Sequence, residues 1–265
     1  MQTKNHNKLK ETILKEYPRL SREDKFSFAC HPGVECFNKC CNDVNIFLTP
    51  YDIIRLRQRL GMGSSEFLEK YTLIPLEENL KHPVVMLRMD EESLNCPFVE
   101  QDKGCTVYED RPWSCRMYPI GVATPQEIAD NNEEFFFLLK ENFCKGFDES
   151  KEWTIEEWMN NQGVADYDEM GDMFREISLH PHFQRTQNTE PVKLEMFYMV
   201  MYDLDKFREF VFESTFFKRF DVPAETIEKM RSDDVELQKF GMQWLRFAIF
   251  GEKTINIRQQ YAPKQ

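Results

Sequence analysis

The stretch Cys30-His31-Pro32-Gly33-Val34-Glu35-Cys36-Phe37-Asn38-Lys39-Cys40-Cys41 decides how this chain is to be read. It presents four thiols as Cys30-x5-Cys36-x3-Cys40-Cys41. A second set follows as Cys96-x8-Cys105-x9-Cys115, with Cys144 further on, and no cysteine comes later. Soft thiolate sulfur holds zinc and the iron of iron–sulfur clusters well, and four thiolates complete a tetrahedral shell or a cubane. Eight ligands, Cys30, Cys36, Cys40, Cys41, Cys96, Cys105, Cys115 and Cys144, therefore allow two such sites. Consecutive side chains of an extended segment point to opposite sides. On that premise Cys40 and Cys41 are expected to ligate two different centres lying back to back.

Composition narrows the alternatives. The 265 residues carry 34 basic and 46 acidic side chains, a net charge of −12 that repels nucleic acid and anionic membrane surfaces. No run approaches the roughly 20 apolar residues that cross a bilayer. Met1 to Glu16 is polar and lacks the apolar region of an export signal, so the expected compartment is the cytoplasm. Disulfides are rare there, which leaves metal as the leading account of eight cysteines; four disulfides would be the account for an exported chain.

The expected fold class is α+β, mostly α: an irregular, metal-organised Cys-rich module with short strands, and an all-helical C-terminal lobe. The organisation reads as an N-terminal helical arm over 1–25, a metal-binding module over 26–148 and a helical lobe over 149–265. Asn7 to Glu16 is a possible short helix. Thr49 caps a helix through Leu60, with Pro50 in its first turn, Ile53, Ile54, Leu56 and Leu60 as its apolar stripe and Gly61 as its stop. Another helix runs from Ser64 or Ser65 to Tyr71. Val84 to Met89 reads as a strand, and Cys96 to Val99 with Cys105 to Tyr108 reads as a hairpin. Phe135 to Leu139 fits a strand or a buried helical turn. In the second half, Thr154-Ile155-Glu156-Glu157 is a capping box. Helical spacing then covers Asp166 to Leu179, Pro191 to Phe217, Ala224 to Met230 and Asp233 to Phe250, the last with Leu237, Phe240, Trp244, Leu245 and Ala248 on one face.

A site of four thiolates carries a net charge of about −2 around zinc or a [4Fe–4S] core, and a buried charge needs compensation. Tyr108-x2-Arg111-Pro112-x2-Cys115-Arg116-x-Tyr118-Pro119 supplies candidates. Arg111 and Arg116 can donate to sulfur or hold an anionic group, with Tyr108 and Tyr118 beside them as cofactor-binding candidates. The plainer reading pairs both arginines with nearby acids such as Glu109 and Asp110.

The cysteines ending in Cys40-Cys41, the Gly104-Cys105-x2-Tyr108-x2-Arg111-Pro112-x2-Cys115-Arg116-x-Tyr118-Pro119 run and Cys144-x-Gly146 together resemble the YkgJ-like cysteine-cluster family, nicknamed CxxCxxCC. The resemblance covers about residues 26 to 148 and implies a zinc- or iron-chelating domain. The first group departs from the nickname, being spaced five and three, which bears most on Cys30. The resemblance implies no particular reaction. The chain shows no glycine-rich methyl-donor loop, no CxxxCxxC spacing and no evident nucleophile–base set.

Other features read plainly. His31 follows Cys30 and could ligate, although an exposed loop position is the ordinary expectation; His180-Pro181-His182 suits a helix end; His6 and His82 look incidental. Glu77-Glu78, Asp90-Glu91-Glu92, Asn131-Asn132-Glu133-Glu134 and Asp233-Asp234 read as solvated turns, and Asp52 as an early-turn acid. Methionines at helical spacing (Met196, Met199, Met201 and Met242) read as core. Three function classes follow. One is an iron–sulfur protein, holding one or two 4Fe–4S clusters in a redox or cluster-dependent role on a protein or small molecule. The second is a zinc-stabilised module that binds a protein partner. The third is a metallochaperone or maturation factor.

Overall fold

The computed structural model describes residues 17–75, 81–100, 103–123, 134–185 and 189–261. The expected helix at Asn7 to Glu16, His6, the Glu77-Glu78 pair and Asn131 to Glu133 lie outside them. The fold is α+β and mostly α.

The chain enters through β1 (Lys25–Ser27) and reaches a 3₁₀ turn at Lys39–Cys41. Then come β2 (Phe47–Leu48), α1 (Pro50–Leu60), α2 (Ser64–Tyr71), β3 (Thr72–Leu73) and β4 (Val85–Leu87). Helix α1 forms as its sequence dictates. Thr49 and Asp52 make a reciprocal capping box, Pro50 opens the first turn and Gly61 closes the helix at φ 66°, a conformation glycine adopts without strain. Strands β2 and β3 flank β4 antiparallel, and Leu48, Val85 and Leu87 turn inward from this small sheet.

The hairpin is tighter than its sequence suggests: β5 (Val99–Glu100) pairs with β6 (Gly104–Cys105), so Cys96 precedes it and Tyr108 falls in a following 3₁₀ turn, Tyr108–Asp110. A short helix, α3 (Trp113–Met117), carries Cys115 and Arg116. Next, β7 (Ile120–Ala123) pairs with β8 (Phe135–Leu138), which settles the ambiguous apolar run as strand. Strand β9 (Glu152–Thr154) returns to β1, with Phe26 opposite Trp153, and leads into α4 (Ile155–Gln162). The capping box expected at Thr154 is present, with Glu157 as its other member.

The remaining helices are α5 (Ala165–Ser178), α6 (Pro181–Arg185), α7 (Pro191–Met201), α8 (Leu204–Glu213), α9 (Phe216–Arg219), α10 (Ala224–Ser232) and α11 (Asp234–Phe250). Two short strands, β10 (Phe220–Asp221) and β11 (Asn256–Ile257), pair among them. The single helix expected from Pro191 to Phe217 is three. Asp203, buried, breaks the first junction by capping α8 through the Lys206 N–H and accepting from the hydroxyls of Ser64 and Ser65. Ser214 and Thr215 make the second break, and the Ser214 hydroxyl accepts from the Phe216 N–H.

Two cores form. The larger joins Leu48, Ile53, Ile54, Leu56, Phe67, Val85 and Val107 to residues of α5, α7, α8 and α11 such as Ile177, Phe197, Phe207 and Leu245. The smaller joins Phe26, Phe28, Met117, Ile120 and Phe136 to Ile155, Trp158, Met159 and Val164. Full burial of each large side chain stabilises by about 1.5–3 kcal/mol. Trp113 packs against both cores.

Candidate metal centre

All eight cysteines are free thiols, and they come from the segment ending at Cys41, the residues just before β5, strand β6, α3 and the loop after β8. Their mutual electrostatics divide them into two quartets. The Cys30 thiol is held up to about 11 by burial and then by Cys40, Cys36 and Cys144. Tyr118 is raised by burial, by Cys144 and by Cys40. On the other side, Cys115 is pushed up to about 12 by burial, with Cys96, Asp52 and Cys105 adding to it. Burial also lifts Cys96 to about 11, with Cys105 beside it. Cys41 is raised by its hydrogen bond to Cys40, then by burial, and it senses Cys96 and Cys115. One group is Cys30, Cys36, Cys40 and Cys144; the other is Cys41, Cys96, Cys105 and Cys115.

The adjacent residues Cys40 and Cys41 differ in their further neighbours, Cys40 acting on Cys30 and Cys41 sensing Cys96 and Cys115, but not through the extended backbone that the sequence suggests. The segment is not extended but a 3₁₀ turn, in which consecutive side chains diverge by a third of a turn. The turn brings the two thiols into one hydrogen bond, which holds Cys40 down to about 7. Beyond that bond each faces its own neighbours. Backbone contacts set both sides. The Cys96 N–H donates to the Cys41 carbonyl at 2.8 Å, and the Lys145 N–H donates to Cys36 Sγ at 3.1 Å.

The arginines serve this region differently from a surface ion pair. Arg111 and Arg116 are buried, and neither forms a salt bridge among the described residues. Asp110 pairs instead with Arg55 at 2.6 Å. Arg116 donates to three backbone carbonyls: Arg111 at 3.0 Å, Gln162 at 2.6 Å and Glu109. Its guanidinium lies 4.4 Å from the centre of the Tyr167 ring. The Gln162 carbonyl ends α4, where the helix dipole favours a cation. Arg111 donates to the Tyr108 carbonyl at 2.6 Å and to the Gln162 side chain, and covers the exposed Tyr108 ring. With acceptors that are neutral, the Arg111 charge remains for the thiols and favours the thiolates of Cys30, Cys105 and Cys115, while the Arg116 charge acts on Asp52.

Asp52 is fully buried, not solvated. One oxygen accepts from the Thr49 N–H at 2.7 Å and the other from the Trp113 N–H at 2.8 Å, which ties the start of α1 to the start of α3. Burial raises its carboxyl to about 6 against these hydrogen bonds and the Arg116 charge. The Trp113 indole donates to Asp168 at 2.7 Å. Asp52, Trp113, Gln162, Tyr167 and the Lys145 N–H escape a sequence reading. A capping-box acid and a helix-ending glutamine carry no mark of the site they serve, and a backbone N–H has no sequence signature at all.

The histidines stand apart. His31 is exposed, accepts from the Gly33 N–H and lies 3.6 Å from Glu149. His180 follows α5, stacks on Phe250 at 3.7 Å and pairs with Glu252. His82 is more than incidental: it stacks on Phe197 at 4.7 Å beside Phe183.

No three of the described His, Cys, Asp and Glu side chains are closed around a common metal position, so the thiols are neighbours and not a coordination shell. The donor chemistry nevertheless fits a metal in three respects. Each quartet is sulfur alone. Buried Arg111 supplies positive charge without a carboxylate partner among the described residues. The Ser114 hydroxyl, next to Cys115 in the chain, is buried without a hydrogen-bonding partner among the described residues, and the Tyr118 hydroxyl is set against the Cys144 sulfur. Among those residues no helix is long and apolar enough to cross a membrane.

A family model named CxxCxxCC and described as "Putative zinc- or iron-chelating domain" matches residues 29–152. No curated protein and no solved structure matches the chain. The matched stretch, a little under half of the chain, is similar to that family's domain and contains all eight thiols and both arginines.

Proposed function

We propose that the chain holds two thiolate-ligated metal centres, one on Cys30, Cys36, Cys40 and Cys144 and one on Cys41, Cys96, Cys105 and Cys115, and that both are iron–sulfur clusters. The division of eight thiols into two quartets at the Cys40–Cys41 peptide carries this reading. Iron–sulfur is favoured over zinc because structural zinc commonly uses CxxC knuckles, in which one tight turn gives two ligands, and this chain has none. A cluster, when bound, stores and passes single electrons.

The chain's own residues prepare for such a group. Arg111 places a buried positive charge beside Cys105 and Cys115, and the buried Arg116 directly follows Cys115 in the chain. Such charges offset the net negative charge of the thiolates and favour a reduced, more negative core. Ser114 holds a buried hydroxyl without a protein partner among the described residues, and the Tyr118 hydroxyl faces the Cys144 sulfur. The smaller core lies against the Cys144 side through Phe28 and Phe147. A cytoplasmic redox or cluster-dependent role follows, with a protein as partner or substrate and neither nucleic acid nor a membrane interior as its target.

Anaerobic analysis of the untagged protein tests this. Two cubanes give about eight irons and eight acid-labile sulfides per chain. About two zincs and no sulfide refute the cluster assignment and leave a zinc-stabilised interaction module or a metal carrier.

A further inference from the structure

We propose that the two quartets differ in permanence: the Cys30, Cys36, Cys40, Cys144 quartet is an exchange site open to incoming thiolate ligands, and the Cys41, Cys96, Cys105, Cys115 quartet is fixed. This rests on the reading that both quartets hold metal, whether iron or zinc.

Exposure is the first observation. Cys30 is the exposed cysteine of the eight, and the exposed Phe143 immediately precedes Cys144. A soft ligand from solution therefore approaches this quartet at Cys30, a residue open to solvent whose thiol lies against the protein. It can form a bond to the metal as the Cys30 sulfur leaves and takes up a proton, a substitution that needs no oxidant. The Cys41 quartet offers no exposed thiol.

Anchorage is the second. Cys41 sits in a 3₁₀ turn whose end is pinned by the Cys96 N–H and by Asn42, whose side chain donates to the Ser93 carbonyl and to Asn95. Cys105 lies in a strand opposite Val99, and Cys115 lies in α3, clamped through Asp52 and Arg116. Cys96 and Cys105 pack against the larger core. In the other quartet Cys36 is buried and Cys40 shares the turn with Cys41, but Cys30 and Cys144 belong to loop segments, Cys144 packing against the smaller core. Moving Cys30 disturbs a loop. Moving Cys105 or Cys115 disturbs a strand or a helix together with the packing behind it, so the two exits have different barriers.

The test uses the full-length protein with its metal as purified without oxygen. Excess dimercaptosuccinate, a small dithiol chelator, is added and released metal is measured in filtrates over time. Samples quenched with iodoacetamide at half release are digested, and each cysteine is scored by mass for alkylation. Two phases of equal size are expected, separated by at least about tenfold in rate, with the label at half release on Cys30, Cys36, Cys40 and Cys144. Cys41, Cys96, Cys105 and Cys115 should remain unlabelled. Release in a single phase, or label spread over both quartets at half release, overturns the inference while leaving two metal centres in place. A chain purified without any metal overturns the underlying reading as well.

Discussion

Replacing Arg116 with lysine separates the charge of this residue from its reach. The guanidinium bridges the carbonyls of Glu109, Arg111 and Gln162 from one buried position. A lysine ammonium is a single compact donor and cannot span three acceptors set around a planar fork. At least two carbonyls then lose a charged partner, each bond worth about 1.5–3 kcal/mol. Relaxation and entering water recover part of that, so the expected loss is ~3 kcal/mol. For a chain of this length each kcal/mol moves the midpoint by about 2–4 °C, giving a fall of roughly 6–12 °C. The assay is thermal unfolding by circular dichroism, with metal content measured on the same samples. Arg116→Lys should keep its metal while losing stability, whereas Arg116→Met should lose stability and metal together, because the charge has gone too. Glu109→Ala is the internal control: only its backbone contacts Arg116, so the midpoint should stay within about 2 °C of wild type. An Arg116→Lys protein as stable as wild type would refute the carbonyl clamp.

Other outcomes follow from the same geometry. Asp52→Asn can reproduce one acceptor but presents an NH₂ group to the other backbone donor; a loss of about 2–4 kcal/mol is expected in chemical denaturation, and a neutral result would show that the tie between α1 and α3 is dispensable. At Gly241 an added Cβ would stand 2.6 Å from Val200 and 2.8 Å from Phe207, so Gly241→Ala should cost ~1–3 kcal/mol by overpacking, checked the same way. Burial lowers the pKa of His82. The unfolded chain therefore takes up this proton first, and stability is complete above the ordinary histidine value and falls below it. His82→Phe keeps the stack on Phe197 and should shrink the drop in melting temperature between about pH 7.5 and 5.5; an unchanged drop would remove His82 from the account. With Cys30, Cys96 and Cys115 held at about 11 to 12, these thiols are protonated at neutral pH. Loading metal must then release protons, and affinity must weaken as pH falls. Calorimetry in two buffers of different ionisation enthalpy should show several protons released per chain, and no buffer dependence would contradict thiol ligation.

What the sequence discloses follows the range of each interaction. Both capping boxes can be read directly, because Thr49 with Asp52 and Thr154 with Glu157 complete themselves within four residues. The run from Pro191 to Phe217 cannot, because apolar spacing continues across two breaks made by distant partners. Asp203 caps α8 while holding Ser64 and Ser65, more than a hundred residues away. The cysteine set is legible by type, whereas the tight turn that joins the Cys40 and Cys41 thiols in one hydrogen bond is not, since the sequence suggests an extended segment there. The arginines were visible as charges. Their acceptors were not, since any residue's carbonyl would look the same in sequence, and only the fold brings the end of α4 to Arg116.

The pairing of β1 with β9 has a practical corollary for anyone trimming this protein. Phe26 and Trp153 face each other at the two margins of the matched stretch, and Trp158, just beyond it, meets Phe26 and Phe28 edge-on. A fragment cut at 29 and 152 would shed both strands and bare the apolar faces that α4 and α5 now cover. Such a piece would be expected to aggregate whatever metal is supplied, so a failure to load it would say nothing about the thiols.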